Sequence, residues 1–171
     1  MDGLHALRQQ ARQELLSESR RHKASKRLRE IPCIGPIRAA LLVALMQTPH
    51  RFRNKRQLWN YSGLGVTRRD SAQYRYVRGQ LQRSKKPQQL RGLNQNHNHQ
   101  MKEIFKSTAI TATRCAGPFQ DFYARLLAKG MAPEMARLTL ARKIAAITLT
   151  NWKKGDRFDP NQLNQPNVQA A

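Results

Sequence analysis

The sequence predicts a mainly α fold: a helical domain containing a helix-hairpin-helix, with one small β-hairpin, preceded by a basic linker helix. Three observations carry this. Apolar residues recur at intervals of three and four along most of the chain, which is the period of a helix buried on one face. Glycines and prolines stand at the places where those runs stop, and a glycine just past a helix or a proline in its first turn is the usual punctuation. A single stretch, Tyr74 to Leu81, alternates aromatic or β-branched residues with basic ones instead, which is the period of a strand.

Taken in order, Leu4, Leu7, Ala11 and Leu15 form one helical stripe, and Ser17 to Arg29 continues as an exposed basic helix with only Ala24 and Leu28 apolar. Pro32 and Gly35 then break the helix, and Ile37, Ala40, Leu41, Ala44 and Leu45 resume it as an amphipathic face. Helix, tight apolar hairpin and second helix together resemble the helix-hairpin-helix, whose hairpin and second-helix amides bind a nucleic-acid phosphate. That makes Gly35, Ile37 and Arg38 candidate phosphate contacts, although Cys33 stands where the motif's first glycine usually sits. A purely structural helical turn is the competing reading.

Lys55 to Ser62 reads as a short helix ended by Gly63, and Gly65 to Asp70 as a loop. Tyr74 to Leu81 forms the hairpin, turning at Gly79. From Gln88 onward Leu90, Leu93, His97, Met101, Ile104, Phe105, Thr108 and Ala112 share a helical face, predicting one long helix to about Arg114 that Gly117-Pro118 ends. Phe119 to Lys129 is a further helix stopped by Gly130, and Pro133 opens one that reaches about Lys154 and closes at Gly155. Asn161 to Ala171, rich in Asn and Gln, offers little to bury and is expected to be disordered. The resulting division is residues 1–23 as the end of a helical linker, 24–159 as one domain with the helix-hairpin-helix near 25–46, and 160–171 as a tail.

Charge sets the partner. With 32 Lys plus Arg against 10 Asp plus Glu the chain carries +22, so a polyanion, DNA or RNA, is the first expectation. No apolar run is long enough to span a membrane and no signal peptide opens the chain, which predicts a cytoplasmic protein with no membrane partner. Cys33 and Cys115 have no CxxC companion, so both are read as buried thiols. His97 and His99, two apart on an expected helix, point away from each other and are read as structural or phosphate-contacting rather than metal-binding.

Between Glu30 and Glu103 the only acidic residue is Asp70, which argues against a metal-dependent nuclease site here, since two-metal chemistry needs several converging carboxylates. No metal ligands and no cofactor are assigned. Ser71, by contrast, lies among Arg68, Arg69, Arg75 and Arg78. A serine can attack a phosphodiester to form a phosphoserine when cations stabilise the charge that builds on the non-bridging oxygens. Arg83, Lys85 and Lys86 extend the basic segment as further phosphate contacts. Tyr74 and Tyr76 are rival nucleophiles, and their alternation fits core or base-stacking roles equally.

Several segments in order carry a resemblance: Ile31-Pro32-Cys33-Ile34-Gly35-Pro36, Phe52 through Leu64, Asp70-Ser71-Ala72, Arg83 through Pro87, Leu90 through Asn94, and Phe122 through Leu126 with Lys129-Gly130. Residues 24 to 159 resemble the carboxyl-terminal transposase domain of the IS110/IS116/IS902 family of bacterial insertion sequences. The resemblance implies DNA transposition, with Ser71 at the position of the family's proposed nucleophile. It also implies a guide RNA, and a separate RuvC-like amino-terminal half that carries the acidic Mg2+ site; that half is absent from the sequence. Two departures from the pattern are Ala72 after Ser71, where glycine is common, and Pro87-Gln88 in place of Gly-Asn after the basic hairpin. Protein partners left open are a second copy of the chain or the RuvC-like half, in a bacterial, nucleoid-associated setting. The alternative is a non-catalytic nucleic-acid-binding remnant of a truncated transposase.

Overall fold

A computed structural model describes residues 2–68, 74–83 and 90–164. Seven α-helices and two two-stranded antiparallel ribbons fill the described residues, so the mainly helical expectation holds. The longest helix, α7 (Pro133–Lys154), runs through the middle and packs against α5 (His99–Arg114), α4 (Lys55–Tyr61), α6 (Pro118–Ala128) and α2 (Lys23–Leu28). Its ends are those foreseen: Pro133 occupies the first turn, where a missing N–H costs nothing, and Gly155 caps the other end at φ +71°. Because α7 has neighbours on several sides, apolar Leu140, Ala141, Ile144, Ala145, Ile147 and Leu149 are buried around most of its circumference.

The amino-terminal region is one basic arm in two pieces. Helix α1 (Asp2–Arg21) ends before His22, whose extended backbone starts α2, and the Ser19 and Ser25 hydroxyls hydrogen-bond across the break at 2.6 Å. The stripe read at Leu4 and Leu7 meets nothing: Leu4 is 78% exposed. Only Leu15 and Leu16, nearer α3 (Pro36–Met46), become half-buried. Helix α3 exists where expected, but its deepest residues are Ala39, Ala40, Leu42 and Met46, while Ala44 is exposed. Lying between α1, α2 and α5, it has no single apolar face for periodicity to find.

Two expectations fail at the strands. Residues 66–68 are not loop but strand β1 (Val66–Arg68), and the long helix does not begin near Gln88, because Leu90–Leu93 forms β4, antiparallel to β1. The register shifts between Thr67 and Arg68, leaving Arg91 without an opposite residue, a β-bulge. Leu90, Leu93, His97 and Met101 do fall at helical spacing, yet Gly92 sits at φ +98° and Asn-rich residues follow. Asn98 is the true start, its side chain accepting from the Met101 amide at 2.9 Å. From there Met101, Ile104, Phe105, Thr108 and Ala112 are buried as read.

The hairpin is as read: β2 (Tyr74–Val77) and β3 (Gln80–Arg83) pair antiparallel about Arg78 and Gly79. Both turn residues have positive φ, +52° and +77°, the two-residue turn whose twist matches that of the strands. Tyr76 is 77% exposed, which removes the core role that alternation had left open. The expected tail is partly ordered: a 3-10 turn, Pro160–Leu163, buries Leu163 against the helical core. Residues 165–171 lie outside the described part.

Candidate nucleic-acid interface

The connection between α2 and α3, residues 29–35, is held from behind. Arg38 donates from Nη1 to the Cys33 carbonyl at 2.8 Å and from Nη2 to Thr111 Oγ1 at 3.2 Å. The Arg38 guanidinium thus ties this connection to α5. Cys33 has φ +65°, a conformation glycine adopts at no steric cost and other residues adopt under strain. Gly35, the N-cap of α3, is exposed, and a Cβ there would meet nothing within 4 Å. Its own packing therefore does not require glycine. Pro36 has no N–H, and the Ile37 and Arg38 amides stand in the first turn, where helical acceptors are lacking.

Beside Pro36 lies a small pocket of about 170 Å³ that includes Ser19, Arg20, Ser25, Lys26 and Arg29 in its wall. Three exposed cations and two hydroxyls converge on it with no carboxylate among them. An anion placed there gains Coulombic attraction from the three cations of the wall. Arg20, Lys26 and Arg29 were legible only as part of a basic helix; their convergence needed the bend at His22.

The second group of candidates surrounds the strands. Arg68 ends β1 opposite Leu90, Arg75 pairs with Gln82, and Arg83 with Tyr74, while Arg78 is exposed in the turn. Ser71, Arg69, Lys85 and Lys86 lie outside the described residues. What the fold does show is how the approach to Ser71 is anchored. Ser62 Oγ donates to the Leu58 carbonyl at 2.7 Å, and Gly63 follows at φ +66° to stop α4. The Asn94 amide donates to the Gly65 carbonyl at 3.0 Å and the Asn98 amide to that of Tyr61 at 2.8 Å, which fastens the Val66 and Leu93 end of the β1–β4 ribbon to the exit of α4.

His97 and His99 do not diverge around one helix. His97 precedes α5, and the two rings lie 4.4 Å apart between centroids. Both His97 ring nitrogens are buried and lack a hydrogen-bond partner among the described residues. No three His, Cys, Asp or Glu side chains group as a possible metal site among those residues. The two cysteines are neighbours: burial first, then the adjacent Cys115, push the Cys33 thiol above its ordinary value of 9.0. Cys115 itself is exposed rather than buried as expected. No helix of the described residues is long and apolar enough to cross a membrane.

Residues 25–124 match a protein-family model described as Transposase IS116/IS110/IS902 family. The chain belongs to that family. No curated protein matches the chain.

The match reaches from α2 through α6 and takes in both ribbons and the segment that contains Ser71. Within it, the Phe52 to Leu64 run serves the fold: Phe52, Leu58, Ser62 and Leu64 are buried, and the Trp59 indole donates to the Arg142 carbonyl at 2.9 Å.

Proposed function

We propose that the chain binds DNA and acts as the carboxyl-terminal, serine-bearing half of an insertion-sequence transposase, with Ser71 as nucleophile. The family match over residues 25–124 carries the reading. Support comes from the +22 charge, which favours a phosphate backbone, and from the cation-lined pocket beside the first turn of α3. In the proposed step Ser71 Oγ bonds to a DNA phosphorus as the bridging bond to a sugar oxygen breaks. The leaving oxygen takes up a proton and the serine proton passes to solvent, so the phosphodiester is exchanged rather than hydrolysed and can be rejoined. Arg68, Arg69, Arg75 and Arg78 are proposed to stabilise the charge on the non-bridging oxygens, and Arg83, Lys85 and Lys86 to hold the flanking backbone. A RuvC-like half with its Mg2+ and a guide RNA are proposed partners, supplied separately.

The test is co-expression with a compatible amino-terminal half and donor DNA, followed by denaturing electrophoresis for a protein-DNA adduct. The adduct is expected in the parent chain and in Tyr76→Phe, and absent in Ser71→Ala. An undiminished adduct in Ser71→Ala overturns the serine assignment. Salt-sensitive DNA binding without any adduct supports instead the purely binding role.

A further inference from the structure

A groove of about 680 Å³ lies between β4, α5 and the first turns of α7. Leu93, Ile110 and Met135 form part of its floor, and Lys102, Lys106 and Arg137 stand around it. Ile110 is 39% and Met135 52% exposed. An apolar floor left open to water on a chain of this charge is unusual, because surfaces of this kind normally mark a contact. Among the described residues, Lys102, Lys106 and Arg137 take part in no side-chain hydrogen bond or ion pair.

We propose that this groove holds an unpaired DNA strand, its bases against Ile110 and Met135 and its phosphates along Lys102, Lys106 and Arg137. The proposal rests on the DNA-handling reading above and adds where a strand lies once its duplex is opened. Duplex DNA presents phosphates but hides its base faces, so it satisfies the cations and leaves the floor wet. An unpaired strand satisfies both, and Ile, Leu and Met are side chains that contact unstacked bases elsewhere. Lys102 and Lys106 are one turn apart on α5, about 6 Å along the axis, close to the spacing of successive phosphates in an extended strand. Glu134, also in the wall, repels phosphate and so keeps the backbone on the lysine side; its carboxylate can accept from a base amino group. The occupant is DNA because the groove's β4 wall is paired with β1, the strand that leads into the Ser71 segment.

The experiment measures anisotropy of a labelled blunt duplex, and of the same duplex with a short single-stranded tail, titrated with the full chain at several salt concentrations. The parent chain is expected to prefer the tailed duplex. The triple variant Lys102→Gln, Lys106→Gln, Arg137→Gln is expected to lose that preference, with binding of the tail weakened about tenfold or more and the salt slope reduced by about one per lost phosphate contact. Lys129→Gln, Lys154→Gln, Arg157→Gln removes the same charge from exposed positions outside the groove and is expected to retain the preference. Ile110→Ser with Met135→Ser, which leaves the charge alone, is expected to lose it. Equal losses in both triple variants, an unchanged tail preference in the Ile110 and Met135 variant, or preference for an RNA tail overturns the groove assignment while leaving DNA binding intact. Failure of the parent chain to bind any DNA overturns the proposed function itself.

Discussion

Arg142 of α7 and Leu64, at the exit of α4, are joined by a hydrogen bond from Arg142 Nε to the Leu64 carbonyl at 2.7 Å. The same arginine accepts the Trp59 indole N–H through its own carbonyl at 2.9 Å, so one residue of the central helix holds α4 and the start of β1 from two sides. Burial draws the Arg142 pKa below its ordinary value, yet a guanidinium stays charged at neutral pH. Arg142→Met is expected to lose roughly 1.5–3 kcal/mol, the worth of a hydrogen bond from a charged donor. Thermal denaturation checks this, with a drop of about 3–10 °C expected for a chain this size. Arg142→Lys, which lacks Nε, should recover little of it.

Gly63 is constrained twice. Its φ is +66°, and a Cβ there would come within 2.4 Å of the His97 ring. Gly63→Ala should cost about 2–4 kcal/mol, part from the backbone and part from the clash. Adding His97→Ala removes the clash but not the backbone cost, so the double variant should recover about half the loss relative to the His97→Ala parent. Denaturant titration of the four proteins gives the coupling; strict additivity would show that the ring can simply move aside.

Arg78 occupies a positive-φ turn position beside Gly79, where asparagine is the favoured residue. Arg78→Asn is expected to leave stability unchanged or raise it by roughly a few tenths of a kcal/mol, checked by the melting temperature. If the side chain contacts phosphate as proposed, DNA affinity should fall about two- to fivefold with a salt slope lower by about one. A loss of stability accompanying the loss of affinity would contradict the turn assignment.

Cys33 should react slowly as a nucleophile. Its folded pKa is raised, chiefly by burial and next by Cys115, so near pH 9 the native chain keeps a proton that an unfolded cysteine releases. That contribution to stability is fully present below the unfolded pKa and is lost as pH rises through the folded one. Alkylation followed by mass spectrometry should show Cys115, the exposed thiol, modified well before Cys33. Cys115→Ser should speed Cys33 only partly, because burial remains.

Legibility followed the locality of the signal. The caps of α7, Pro133 and Gly155, and the Arg78-Gly79 turn depend on a few adjacent residues and were plain in the sequence. Strand β4 was misread because Leu90, Leu93, His97 and Met101 satisfy the helical period by coincidence, and only the distant pairing of Leu93 with Val66 decides between the two. Arg38 reads as a phosphate contact from its place in the sequence, where a helix-hairpin-helix offers amides to an anion. Nothing in the sequence places Thr111 beside its guanidinium.

Family membership and net charge were determined by the sequence itself, since motif order and composition survive any folding. The placement of charge was decided by the tertiary structure alone. Lys102 and Lys106 on α5 meet Arg137 on α7 across one groove, and Arg20 meets Arg29 across a bend, because helix packing, not residue spacing, sets which cations share a surface.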